Sequence, residues 1–187
     1  PGPGDMVVVD QAGAKVAFNP SGATHRIGEL TVGSNSVFVV QDGTLDIFGT
    51  ADVNGELSLS SGEITGGFMD VTGTLVLSEG RLAFQESDWR GTTIKQSSAA
   101  VTLNGVLNLS RTFEWRDGDL IGDGATLNLS PPAFFVAPGF WDIQSDGSLT
   151  GSMDIFNEGI IEKSAGTGLT RFASTGVLNN DGIIRTA

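Results

Sequence analysis

Apolar and polar residues alternate along most of this chain. The alternation is carried by one short phrase: Gly, any residue, Leu or Ile, any residue, an apolar residue. It reads Gly28-Glu29-Leu30-Thr31-Val32, Gly43-Thr44-Leu45-Asp46-Ile47, Gly55-Glu56-Leu57-Ser58-Leu59, Gly73-Thr74-Leu75-Val76-Leu77, Gly80-Arg81-Leu82-Ala83-Phe84 and Gly105-Val106-Leu107-Asn108-Leu109. Looser copies open at Gly62, Gly147, Gly159, Gly176 and Gly182. A period of two is that of a strand with one buried face. No window carries apolar residues at helical spacing, and the stretch from Ser97 to Asn104 reads as a turn followed by a strand. The pattern predicts an all-β chain with almost no helix.

The glycines recur at coil-length intervals. Gly43, Gly62 and Gly80 form one evenly spaced series, and Gly55, Gly73 and Gly91 form another. Such spacing predicts a single parallel β-helix over residues 1–187, with about 18–26 residues per coil. At that length the chain makes about nine coils and a rod about 40 Å long. The usual crossover preference makes it right-handed. In each coil the glycine supplies positive φ at a corner, and the Leu or Ile and the next apolar residue point inward. The rival fold is a hairpin-built sandwich, for which Asp42-Gly43, Asn54-Gly55, Asn104-Gly105, Asp123-Gly124 and Asp181-Gly182 offer turns. The regular glycine recurrence favours the solenoid.

Two segments stand apart. Met6 to Phe18 is apolar and broken by Asp10-Gln11-Ala12-Gly13, which makes residues 1–20 an N-terminal cap or first coil. Residues 131–141 hold Pro131, Pro132, Pro138, Phe134, Phe135, Phe140 and Trp141. Prolines exclude a fully paired central strand. The segment is expected to be an irregular loop folded over the flank of the rod, or an apolar loop that meets a partner or ligand.

Composition narrows the setting. Lys and Arg number 10 against 22 Asp and Glu, a net charge of −12, which disfavours nucleic acid and anionic membrane surfaces. No apolar run reaches transmembrane length, so no direct membrane insertion is expected. The chain has no Cys, which rules out disulfides and thiolate metal sites. The start at Pro1-Gly2-Pro3-Gly4 and the end in a fresh phrase at Gly182 read as a piece of a larger protein.

Three stretches resemble a known family. Residues Phe113 to Leu129 contain a Trp, Gly, Leu, Gly, Gly, Leu phrase, Phe156 to Gly168 an Asn, Gly, Ile, Glu-Lys, Gly-Thr-Gly phrase, and Asn179 to Ile184 repeats the latter's opening. They are similar to repeats of bacterial secreted and surface proteins with β-helical Gly-x-Leu repeats, of the adhesin-like or autotransporter-passenger-like kind. The resemblance implies an extracellular or cell-surface location, a stalk, spacer or adhesive role, and other parts of a larger surface protein as partners.

Candidate chemistry is sparse. A β-helix can host polysaccharide lyases and glycoside hydrolases, whose inverting members need two carboxyl groups across the scissile bond. Glu86 with Asp88, Asp117 with Asp119 and Asp42 with Asp46 are the available pairs, and residues two apart share a strand face. The Gly-His-Gly and Arg-x-Lys phrases of polygalacturonase-like enzymes are missing, and His25 is the only histidine. A non-catalytic chain without cofactors is the expectation. The best calcium candidates are Asp117, Asp119 and Asp123, without EF-hand spacing. Trp89, Trp115 and Trp141 are evenly spaced, two of them followed by Arg90 and Arg116. Even spacing suggests equivalent positions on successive coils. Facing out, they would form a ladder for sugar rings, with Arg90, Arg116, Phe134 and Phe135 as further ligand contacts. Facing in, they would form a buried stack, which is the favoured arrangement. Phe38, Phe48, Phe84, Phe113, Phe156 and Phe172 are expected in the core.

Overall fold

The computed structural model describes Gly2 and residues 4–129 and 138–187. Among these residues there is no helix, and every strand pairing is parallel. The strands are β1 (Met6–Val9), β2 (Lys15–Phe18), β3 (Thr24–Ile27), β4 (Glu29–Val32), β5 (Val37–Val40), β6 (Thr44–Val53) and β7 (Glu56–Leu59). Next come β8 (Glu63–Val71), β9 (Thr74–Leu77), β10 (Gly80–Trp89), β11 (Thr92–Lys95), β12 (Val101–Leu109), β13 (Thr112–Trp115) and β14 (Leu120–Leu129). The last are β15 (Phe140–Ile143), β16 (Ser148–Asn157), β17 (Ile160–Lys163), β18 (Arg171–Phe172), β19 (Leu178–Asn180) and β20 (Ile183–Thr186).

Two sheets hold them all. One runs β1-β4-β6-β8-β10-β12-β14-β16-β18, with β3 beside β6 and β19 beside β16; the other runs β2-β5-β7-β9-β11-β13-β15-β17-β20. The chain alternates between the sheets, and each strand pairs with its counterpart one coil later. That is a β-solenoid of about nine turns, one for each strand of the second sheet. The Asp-Gly and Asn-Gly pairs turn corners and do not reverse the chain, so the sandwich alternative falls. Met6–Val9 and Lys15–Phe18 pair with β4 and β5 and so form the first coil.

The longer strands of the first sheet bend. Register slips between Ile47 and Thr50, Ala83 and Glu86, Leu103 and Gly105, and Asp123 and Ala125. A bulge kinks its strand, so each long strand turns a corner and supplies two flanks of its coil. The pairs β3 with β4, and β18 with β19, do this in two pieces at the ends. The second sheet closes the coil. The advance per coil is as short as 18 residues, from Glu63 to Arg81. It reaches 29 from Leu120 to Leu149, longer than expected because residues 130–139 are inserted between β14 and β15.

Inner positions stack into columns. Val9, Val32, Val53, Val71, Trp89 and Leu109 lie in register and are buried. Each such side chain contributes roughly 1.5–3 kcal/mol by leaving water. The two glycine columns share close approach, since a Cβ on Gly62 or Gly80 would strike the preceding coil's glycine carbonyl oxygen, and they differ in φ. Gly43, Gly62 and Gly80 have φ of 70°, 80° and 107°. In the other column a Cβ on Gly73 or Gly91 would strike the carbonyl oxygen of the preceding coil's glycine. Those glycines serve close approach rather than positive φ, which corrects the uniform corner role expected from the phrase.

Several inner positions break the apolar rule. Ser87, Thr93, Lys95 and Asn157 are buried at inward strand positions that are elsewhere apolar. Asn157 donates through Nδ2 to Asn180 Oδ1 at 2.6 Å and accepts from the Gly159 N–H at 3.1 Å, so its amide fastens the corner of the next coil.

Candidate functional site

The three tryptophans are fully buried. They do not occupy equivalent positions, contrary to what their even spacing suggests. Trp89 ends β10 in the first sheet, opposite Leu109. Trp115 and Trp141 lie on neighbouring strands of the second sheet but two positions out of step, since Trp141 pairs with Phe113 and Trp115 with Ile143. Trp141 stacks on Phe113 and Trp115 with ring centres 5.7 and 5.9 Å apart, and Trp89 meets Phe113 edge-on at 5.7 Å. This is an internal aromatic cluster at the coils flanking the long insertion. Trp115 Nε1 donates to the Gly118 carbonyl at 2.8 Å.

A sugar ladder on these rings therefore does not exist. Arg90 and Arg116 point outward and are already engaged. Arg90 Nε donates to Asp70 Oδ1 at 2.9 Å, and Arg116 Nε to Glu114 Oε2 at 2.8 Å. Phe134 and Phe135 lie outside the described residues, as do residues 131–137 of the segment expected to be an irregular loop. Pro138 is exposed, whereas Trp141 is an inner residue of β15.

The carboxylates separate into distinct roles. Asp117 Oδ1 accepts the Gly118 N–H at 2.7 Å, Asp119 Oδ1 accepts the Ser148 N–H at 2.7 Å, and Asp123 pairs with Arg81 at 3.0 Å. These three do not converge, and no cluster of metal-ligating side chains occurs among the described residues. The cation at this corner is Lys95. Its Nζ is enclosed beneath the turn and donates to the Ser97 and Asp117 carbonyls. Burial pulls the Lys95 ammonium below its ordinary pKa, an effect opposed by the charges of Asp117 and Asp119. Lys163 repeats the device three strands on in the same sheet, donating to the Ser145 carbonyl, Asp146 and Thr170. The Lys163 ammonium, then the Gly168 N–H, hold the Asp146 carboxyl below the usual carboxylate range.

Asp42 caps its own turn by accepting the Gly43 N–H, while Asp46 pairs with Arg26 at 2.6 Å. Glu86 and Asp88 do share an outer face. Both accept from the Asn108 amide, at 3.1 and 2.9 Å. Asp52, Asp70 and Asp88 stand in one outward row, continued by Asn108 and Asn128. Asn128 Nδ2 donates to Asn108 Oδ1 at 2.9 Å. The row trades like-charge repulsion against Arg90 on one side and an amide ladder on the other.

The surface feature that sequence reasoning missed is Phe48. Expected in the core, it is 77% exposed. Strand parity carries the signal: Leu45 and Ile47 point inward, so Phe48 falls on the outer phase at the bend of β6. Phe156 is likewise outward, between inward Ile155 and Asn157. Phe172 is an inner residue, edge-on to Trp141 at 5.6 Å, and is exposed because no complete coil lies beyond it among the described residues. Phe38, Phe84 and Phe113 are in the core.

Beside Phe48 the outer corner carries a groove in two sections, of about 560 and 330 Å³. Gly67 and Gln85 line both sections. Register places Gly67 beside Phe48 and Gly49 on one side and beside Gln85 on the other. Arg26, Asp46 and Thr65 border one section and Thr50 and Glu86 the other. No family model, curated protein or solved structure matches this chain.

Proposed function

We propose that this chain is a non-catalytic structural or adhesive module of an extracellular or cell-surface protein, working as a stiff stalk or spacer. The observation that carries the proposal is the continuity of the parallel ladders around one core, from β1 to β18 in one sheet and from β2 to β20 in the other. Each interior strand is hydrogen-bonded on both sides. Every interior coil shares its hydrophobic columns with two neighbours, so stability is a sum of nearest-neighbour interfaces. Opening an interior segment for a protease breaks two ladders at once, which local fluctuations rarely achieve. The acidic surface disfavours edge-to-edge association of such rods. The Asn-x-Gly-x-Ile corners, which resemble repeats of bacterial surface proteins, support the extracellular setting.

Limited proteolysis followed by mass spectrometry tests the mechanical part. Cleavage is expected first in the last coil and to leave β5 to β14 resistant. Rapid cutting within the interior ladders would overturn it. Incubation with a panel of plant and bacterial polysaccharides tests the non-catalytic part, because release of reducing or unsaturated oligosaccharides would show a lyase or hydrolase instead.

A further inference from the structure

The groove at Phe48 has the form of a slot held open by a glycine that the fold does not require. Most strand glycines of this chain are compulsory. A Cβ on Gly49, Gly66 or Gly122 would collide with a neighbouring backbone or ring, and Gly80, Gly105, Gly124 and Gly151 have positive φ. Gly67 differs. It has no positive φ, and a Cβ there would meet only the Gly49 and Phe48 carbonyl oxygens, at 3.5 and 3.6 Å, which is ordinary van der Waals contact. Among the described residues within strands it is the one glycine free of both constraints. The space above it is therefore a property of the surface and not of the packing.

That space has defined walls. Phe48 stands on the preceding coil and Gln85 on the following one. Strands lie about 4.8 Å apart, so the two rows are about 9.6 Å apart. That width admits one ring between the Phe48 side chain and the Gln85 amide. A flat ring with an apolar face and hydroxyl groups at its edge fits this combination. Thr50, Thr65, Gln85 and the carboxylates of Asp46 and Glu86 border the slot as hydroxyl partners. The carboxylates and the net charge of −12 disfavour an acidic ligand, since the bordering Arg26 is already paired with Asp46.

We propose that the Phe48–Gly67–Gln85 slot is a binding site for a pyranose unit of a neutral glycan. The ring stacks on Phe48 above Gly67, and its hydroxyls bond to Gln85 and the bordering side chains. The site goes beyond the structural role and does not depend on it. It also differs from the tryptophan ladder, whose rings are inside the rod.

Saturation-transfer NMR and titration with neutral hexasaccharides of glucose, xylose, mannose and N-acetylglucosamine test it, with oligogalacturonate as the acidic comparison. At least one neutral probe is expected to bind. Phe48→Ala is expected to weaken it by about tenfold, as truncation of a central aromatic contact does. Gly67→Gln, which fills the slot without backbone strain, is expected to abolish binding. Phe156→Ala, which removes an exposed ring from β16, should leave binding unchanged. Thermal melts of each variant confirm the fold. The proposal is overturned if no neutral probe binds at millimolar concentration, or if binding survives both Phe48→Ala and Gly67→Gln.

Discussion

The interior coils and the last coil are built from the same phrase and end in different states. Leu57 and Leu75 on β7 and β9 are sealed from water, while Leu178 on β19 is 46% exposed and Ile184 on β20 is 51% exposed. Leu178 stacks on Ile155, and Ile184 on Ile161, in regular register. Among the described residues no further coil lies on their other side. The first coil shows the same asymmetry: Val7, Val16, Phe18 and His25 line an apolar hollow of about 400 Å³ at that end. Burial in this fold is thus a property of having two neighbours, and an inner residue with one neighbour gains only part of its transfer energy.

Substitutions at matched inner positions break the comparison most sharply. Trp115→Ala, in the aromatic cluster, is expected to cost about 3–5 kcal/mol in denaturant unfolding. Leu178→Ala should cost about 1 kcal/mol or less, because half of its side chain already meets water. Equal losses would mean that the last coil is sealed in solution. A second contrast lies between two stacked glycines. Gly73→Ala drives a Cβ into the Gly55 carbonyl and is expected to cost about 1–3 kcal/mol by overpacking. Gly67→Ala is expected to change stability by no more than about 0.5 kcal/mol. A loss at Gly67 comparable to that at Gly73 would show that packing demands the glycine, removing the basis for the open slot.

The smallest effect is a pH slope. Lys95 has a folded pKa below its ordinary value of 10.5 because burial disfavours its charge. Between those two values the unfolded chain binds more protons than the native one, so stability rises with pH. The native protein should therefore gain stability relative to Lys95→Met as pH rises toward 10.5, measured by urea midpoints across alkaline pH. A flat difference would place the Lys95 ammonium in water, and a falling one would mean that the charges of Asp117 and Asp119 outweigh burial.

Much of the architecture was legible because a β-solenoid writes its period twice, in strand alternation and in recurring glycines. Gly43, Gly62 and Gly80, read as one series, are one physical column, and so are Gly55, Gly73 and Gly91. The even spacing of the tryptophans is not a coil period. Their coils differ in length, so equal intervals land on different strands and in different sheets. At Phe48 strand parity, and not residue type, decides the outward position. Lys95 was invisible as a core residue, since nothing local announces that the carbonyls of Ser97 and Asp117 will enclose an ammonium.

By itself the sequence determined the strand period, the coil repeat and the side of each strand that faces inward, because these follow from local backbone geometry and residues two apart. Only the tertiary structure decided which columns those inner residues join, which of them have neighbours on both sides, and where the outer corner is left open. Those outcomes depend on register between residues one coil apart and on where bulges bend the longer strands. The contacts that set them lie across coils, where alternation within a strand carries no information.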